Sequence, residues 1–96
     1  MRVFVVLVNA MSTVQLASVC RTKAAAREQL SKITFGSNPR IEEVCVTGIQ
    51  KIQNILYSSE CYEKSRDLYC YKGIFGNVEQ ARRAAGPNGL VLPHTI

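Results

Sequence analysis

The stretches VCRTKAAAR (residues 19–27) and IFGNVEQAR (residues 74–82) resemble each other position by position within one chain of 96 residues. Each begins with an apolar pair, continues to a residue that can cap a helix, and places an alanine and an arginine in the second helical turn. Turn-forming residues follow both, GSNP at 36–39 and GPNG at 86–89. Self-similarity of this kind predicts a structural unit that occurs twice.

The two matching stretches predict two helices. Thr22 and Asn77 are the expected N-caps, because their side chains can accept hydrogen bonds from amides of the first turn. In the first helix, Ala26, Leu30 and Ile33 fall on one face at helical spacing. We therefore expect this helix to cover a sheet.

A hairpin is predicted before each helix, since the preceding segments are rich in β-branched and aromatic residues. The expected strands are 2–8 with 13–20 and, across a turn at 64–67, 55–62 with 68–75. An extra strand is expected over 41–49, and 90–92 predicts a short edge strand ended by Pro93. A rival interpretation is one long helix over 13–33, because Ser12-Thr13-Val14-Gln15 is also a capping-box pattern.

These elements predict an α+β fold. We expect a single domain, 1–96, of two strand–strand–helix repeats with the extra strand between them and the helices packed on a mainly antiparallel sheet. The expected boundaries are 2–35, 41–49, 55–86 and a C-terminal tail over 87–96. A content of 47% hydrophobic and 20% charged residues is typical of an ordered domain.

The net charge of +5 is concentrated in one part of the chain. Residues 1–40 carry six basic residues and one acidic residue, whereas 41–96 carry six of each. Arg21, Lys23 and Arg27 cluster at the start of the first helix, where backbone amides also point outward. This predicts a binding surface for an acidic protein or a nucleic acid. The alternative interpretation is an ordinary solvated helix face, because nucleic-acid domains usually carry a denser basic stripe.

Groups suited to catalysis are scarce in the sequence. His94 is the single histidine and lies two residues from the end, where disorder is expected. Glu42 and Glu43 are adjacent, so on a strand they would point to opposite faces. We therefore expect a chain that is not an enzyme and that uses no cofactor.

The cysteines Cys20, Cys45, Cys61 and Cys70 lack the close pairing with further Cys or His that a structural zinc site requires. No metal site is expected. The second predicted hairpin would place Cys61 across from Cys70, which makes them a candidate disulfide pair. In a cytosolic chain the two thiols would be kept reduced.

The apolar run at 3–8 is similar to the start of a signal peptide, but Asn9 interrupts it. No segment approaches the ~20 apolar residues that span a membrane. We expect a cytoplasmic protein without a membrane span. Exposed strand edges would also allow a homodimer.

The segment VQLASV (14–19), with an alanine-bearing helix after it, resembles the opening of SPOR domains, the sporulation-related repeats that bind peptidoglycan. LYCYKGIF (68–75) resembles the second repeat of that family, and the resemblance covers residues 14–34 and 68–92. Two departures are Ala17 in place of the usual glycine and Tyr69 where an arginine is common.

The resemblance implies a βαββαβ fold whose sheet face contacts glycan strands, and it leaves a ferredoxin-like or SPOR-like arrangement open. It also implies a periplasmic location and peptidoglycan as the partner. The sheet positions that match the family are Gln15, Ser18, Tyr69 and Tyr71.

Two functions are thus expected from the sequence. The first is a small non-catalytic binding or regulatory module that docks on an acidic surface of a protein or nucleic acid. The alternative is a SPOR-like domain that binds peptidoglycan glycan strands.

Overall fold

The computed structural model describes residues 1–46 and 54–96. This part of the chain has an α+β fold with two helices and two three-stranded antiparallel sheets, which confirms the predicted fold class. It divides into two compact units, Arg2–Cys45 and a second made of Met1 with Val46–Ile96. The expectation of a single domain over 1–96 stays a prediction.

The first unit runs strand–strand–helix–strand. Its elements are β1 (Arg2–Ala10), β2 (Thr13–Cys20), α1 (Lys23–Ser31) and β3 (Ser37–Cys45). The sheet order is β2-β1-β3, with β1 antiparallel to both neighbours. The rival interpretation of one helix over 13–33 is wrong, because β2 pairs with β1 from Thr13 to Cys20.

A two-residue turn joins β1 to β2. Ala10 pairs with Thr13, and the residues between them, Met11 and Ser12, both have positive φ, 54° and 62°. Positive φ at both central positions is the pattern of a type I′ turn, whose twist suits a hairpin. The loop is therefore shorter than the four residues, 9–12, that the expected strands leave between them. The Thr13 hydroxyl also donates a hydrogen bond to the Ala10 carbonyl at 2.9 Å.

The predicted apolar face of α1 packs on its sheet. Ala26 is fully buried in a cluster with Val6 and Cys20. The partly buried residues against this cluster are Phe4, Leu30, Ile33 and Ile41. Since α1 ends at Ser31, Ile33 contributes from the residues that follow the helix.

The second unit has the same order of elements. They are β4 (Ile55–Glu63), β5 (Leu68–Phe75), α2 (Val78–Ala85) and β6 (Leu90–Thr95), with the sheet order β5-β4-β6. Ala81 and Ala85 of α2 are buried, and the buried Ser59 hydroxyl on β4 donates to the Ala81 carbonyl. The small side chains of α2 therefore allow a direct contact between helix and sheet.

Both units have a bulge in the corresponding strand. In β2, Ala17 is an extra residue, because the pairing shifts between Val6 and Leu7. In β5, Lys72 is the extra residue, because the pairing shifts between Ser59 and Glu60. The bulge therefore lies in the second strand of each unit.

Both predicted N-caps are confirmed. The Thr22 hydroxyl accepts from the Ala25 amide at 3.2 Å, and the Asn77 side-chain oxygen accepts from the Glu79 amide at 2.7 Å. Each satisfies an amide that has no partner within its own helix.

The third strand of each unit differs from its prediction. The strand expected over 41–49 begins earlier, at Ser37, and pairs with β1, so it belongs to the first unit; residues 47–49 lie outside the described residues. The edge strand expected to end at Pro93 continues to Thr95. Because β6 is at the edge of its sheet, it has one neighbouring strand, β4. The missing amide proton of Pro93 therefore does not cost a hydrogen bond to a second strand.

Candidate functional site

The start of α1 carries the basic cluster that the sequence predicts. Arg21 precedes the cap, Lys23 is the first helical residue, and Arg27 lies in the second turn; all three are exposed. The first turn contains no acidic residue. Cations at a helix N-terminus are electrostatically unfavourable, because the amide dipoles place positive charge there. The cluster therefore does not contribute to the stability of α1 through the helix dipole.

The start of α2 provides an internal comparison. Its cap, Asn77, is flanked by Gly76 and Val78 instead of an arginine and a lysine, and its first turn includes Glu79. The Glu79 carboxylate accepts a hydrogen bond from Arg82 at 2.9 Å. The same strand-to-helix connection thus forms without basic counterparts of Arg21 and Lys23, whereas Arg27 matches Arg82.

One ion pair lies further along α1. The Lys32 ammonium is 3.8 Å from the Glu28 carboxylate, and both side chains are more than 60% exposed. Exposed pairs of this type contribute about 0–1 kcal/mol. Glu28 is the sole acid among residues 1–40 and forms an ion pair with Lys32, so positive charge predominates in the sequence around the helix start.

A second candidate site lies on the β4–β5 hairpin. The register places Cys61 directly opposite Cys70, as the predicted turn at 64–67 requires. A cavity of about 190 Å³ is present at this hairpin. Its lining residues are Cys61, Tyr62, Glu63, Cys70 and Lys72. Both cysteines are free thiols and half-buried.

Glu63 organises the charges around this cavity. Its carboxylate pairs with the Arg66 guanidinium at 2.5 Å, which lowers the pKa of Glu63. The Cys70 thiol donates to the same carboxylate, with 3.4 Å between Sγ and Oε2. Burial and the neighbouring carboxylate raise the pKa of Cys70, so this thiol is held in its protonated form.

The tip of the hairpin also holds an aromatic pair. The rings of Tyr62 and Tyr69 meet edge to face with their centroids 5.2 Å apart, and Tyr69 is exposed. The Tyr62 hydroxyl donates to the Asp67 carboxylate, which raises the pKa of Tyr62.

The four residues assigned to a sheet face by the SPOR resemblance lie on two sheets. Gln15 and Ser18 are on β2 in the first unit, and Tyr69 and Tyr71 are on β5 in the second. The Gln15 amide donates to the Thr13 hydroxyl at 2.6 Å.

His94 is ordered, contrary to the expectation of a disordered end. It lies on β6 opposite Leu56, and its Nε2 is 2.6 Å from the hydroxyl of Ser58. Ser58 is fully buried, so its hydroxyl is closed to a substrate. Burial lowers the pKa of His94. The apolar residues at 90–92 were the signal for this strand, but Pro93 obscured its extent.

Over residues 1–46 and 54–96, no group of three or more His, Cys, Asp or Glu side chains is arranged to hold a metal ion. Neither described helix has the length and apolar character needed to cross a membrane. Comparisons of the chain with protein-family models, curated proteins and solved structures found no match.

Proposed function

We propose that this chain is a small non-catalytic binding or regulatory module that docks on an acidic macromolecular surface through the start of α1. The residues that make the contact are Arg21, Lys23 and Arg27. The partner is a protein or nucleic acid with a negatively charged surface, and the proposal includes a cytoplasmic location.

The observation that carries this proposal is the difference between the two helix starts. The second unit builds the same connection with Gly76 and Val78 at the positions of Arg21 and Lys23, so the fold does not require cations at those two positions. Exposed cations next to outward-pointing amides attract anionic groups. Two cations that the matching connection lacks and that the helix dipole disfavours are best explained by binding, and the exposed Arg27 extends the same basic surface.

The test is a titration of labelled single-stranded RNA, duplex DNA and polyglutamate, followed by fluorescence anisotropy at about 50 and about 200 mM salt. If the three cations each neutralise one phosphate of duplex DNA, the logarithm of the binding constant falls with the logarithm of salt concentration with a slope of about −2.7. The variant Arg21→Gln/Lys23→Gln/Arg27→Gln should lose about tenfold or more in affinity, and its slope should approach zero.

A matched control removes the same charge elsewhere. The variant Lys64→Gln/Arg82→Gln/Arg83→Gln also loses three exposed cations but leaves α1 intact. We expect it to keep most of the affinity and of the salt dependence. Equal losses in the two variants would show that net charge alone is responsible, and salt-insensitive binding would contradict the proposal.

The SPOR resemblance supports a second candidate, a periplasmic domain that binds peptidoglycan. The exposed Tyr69, packed against Tyr62, is an aromatic surface of the kind that can stack on a sugar ring. Purified peptidoglycan should then sediment the protein. Retention should fall in Gln15→Ala, Tyr69→Ala and Tyr71→Ala variants, and failure to sediment the unmodified chain rejects this candidate.

A further inference from the structure

Cys61 and Cys70 are placed as directly opposite residues of two antiparallel strands. The Cα atoms of such pairs are about 4.5–5.5 Å apart. Disulfides usually join residues whose Cα atoms are about 4.4–6.8 Å apart. We propose that Cys61 and Cys70 are a thiol-oxidation site that forms a reversible cross-strand disulfide with a low-molecular-weight disulfide, such as oxidised glutathione, as the oxidant.

The other two cysteines are in different surroundings. Cys20 is buried in the cluster beneath α1, where a reagent cannot reach it. Cys45 is exposed at the end of β3, and the residue opposite it is Arg2. Cys61 and Cys70, by contrast, are half-buried and line an open cavity of about 190 Å³. This pair alone, among the four cysteines, combines a facing thiol with access for a small disulfide.

The reaction balances in two exchanges. The Cys61 thiolate attacks one sulfur of oxidised glutathione, breaks its S–S bond and releases one glutathione thiolate, which takes up a proton. Cys70 then loses its proton to solvent and attacks the Cys61 sulfur, which releases the second glutathione. Two protein thiols and one oxidised glutathione thus give one protein disulfide and two reduced glutathiones.

Two charged groups at the cavity favour this order of the two exchange reactions. The Lys72 ammonium in the cavity lining can attract the carboxylates of glutathione. The Glu63 carboxylate, fixed by Arg66, accepts a hydrogen bond from the Cys70 thiol and so holds that thiol at the cavity. Because the Cys70 thiol is hydrogen-bonded to Glu63, the proposal makes Cys61 the attacking thiol in the first exchange.

The sequence makes the test direct, because trypsin cleaves after Lys64 and Arg66, between the two cysteines. The full chain is incubated with oxidised glutathione, its remaining thiols are alkylated, and the non-reduced digest is analysed by mass spectrometry. We expect peptide 52–64 linked to peptide 67–72, in a protein that runs as a monomer on a non-reducing gel. Dithiothreitol should return the two peptides to their separate masses.

Matched variants complete the experiment. Cys20→Ser/Cys45→Ser should form the same link to the same extent as the unmodified chain. Cys70→Ser should accumulate Cys61 as a mixed disulfide with glutathione, because the second exchange is blocked. The proposal is overturned if the unmodified chain shows alkylation of both Cys61 and Cys70, stops at a mixed disulfide, or links these residues only between two chains or to Cys20 or Cys45.

Discussion

Gly89 connects α2 to β6 at a point where two backbone segments come close together. A Cβ atom added at this position would collide with the carbonyl oxygens of Ala85 and Glu60. Gly36 has the same role before β3, where an added Cβ would collide with the Asn9 carbonyl, and its φ of +69° also favours glycine. Backbone atoms cannot rotate away as a side chain can, so both positions require the smallest residue.

We expect Gly89→Ala to lower the free energy of unfolding by about 1–3 kcal/mol, because the added methyl group forces the strand away from α2. Urea denaturation followed by circular dichroism measures the change. Gly73→Ala is the control, since an added Cβ there would meet the Phe75 ring at 3.3 Å and the ring can move. Equal losses in the two variants would contradict the steric explanation.

The β1–β2 hairpin is closed by a turn whose residue types do not suit its backbone. Met11 and Ser12 both have positive φ, a region that costs a non-glycine residue about 1 kcal/mol or more. Asn-Gly is the pair that this turn type favours. The pairing of β1 with β2 therefore holds the turn in place against the local preference of its residues.

Replacing the turn by Met11→Asn/Ser12→Gly should raise the free energy of unfolding by about 1 kcal/mol, because the strain at both positions is relieved. Differential scanning calorimetry should show a higher Tm. The β4–β5 turn provides the control, since among its residues 64–67 positive φ is found at Asp67 alone. Lys64→Asn/Ser65→Gly should bring no gain there, and a gain of the same size would refute the backbone argument.

Elements defined by short-range signals could be predicted from the sequence. The N-caps Thr22 and Asn77, both helices and the two hairpins follow from local residue preferences. The third strands could not be placed correctly, because pairing with a distant strand determines them. Ser37-Asn38-Pro39 has the composition of a turn, yet it lies within β3, where Ser37 pairs with Asn9 of β1. Long-range pairing thus overrides local preference at this point.

In the candidate sites, too, some features could be predicted from the sequence and others could not. The register of Cys61 with Cys70 followed from the position of the predicted turn. The cavity and the contacts of Glu63 with Arg66 and Cys70 could not be predicted, because they depend on side-chain positions. The basic cluster of α1 is visible in the sequence, and its function stays a prediction.

His94 makes the stability of the fold depend on pH. Burial lowers the pKa of His94, so the folded chain favours the neutral ring and the unfolded chain binds the proton more readily. The sign follows from linkage. The contribution of the neutral His94 ring to stability is fully present above the unfolded pKa of about 6.5, and it is lost as the pH falls from there through the lower folded pKa.

We expect the free energy of unfolding to be smaller at about pH 5.5 than at about pH 7.5. His94→Gln removes the one histidine of the chain, so the difference between the two pH values should shrink. Urea denaturation of both proteins at both pH values provides the measurement. If the variant keeps the full difference, another group is responsible.

In each unit, the first and third strands of the sheet are antiparallel neighbours. Arg2 pairs with Cys45, and Ile55 pairs with Thr95, so in each sheet the start of the first strand lies beside the end of the third strand. In the first unit taken by itself, a short linker from residue 45 to residue 2 would preserve these strand pairs when the chain is opened between Met11 and Ser12. The sheet order of each unit is therefore compatible with circular permutation.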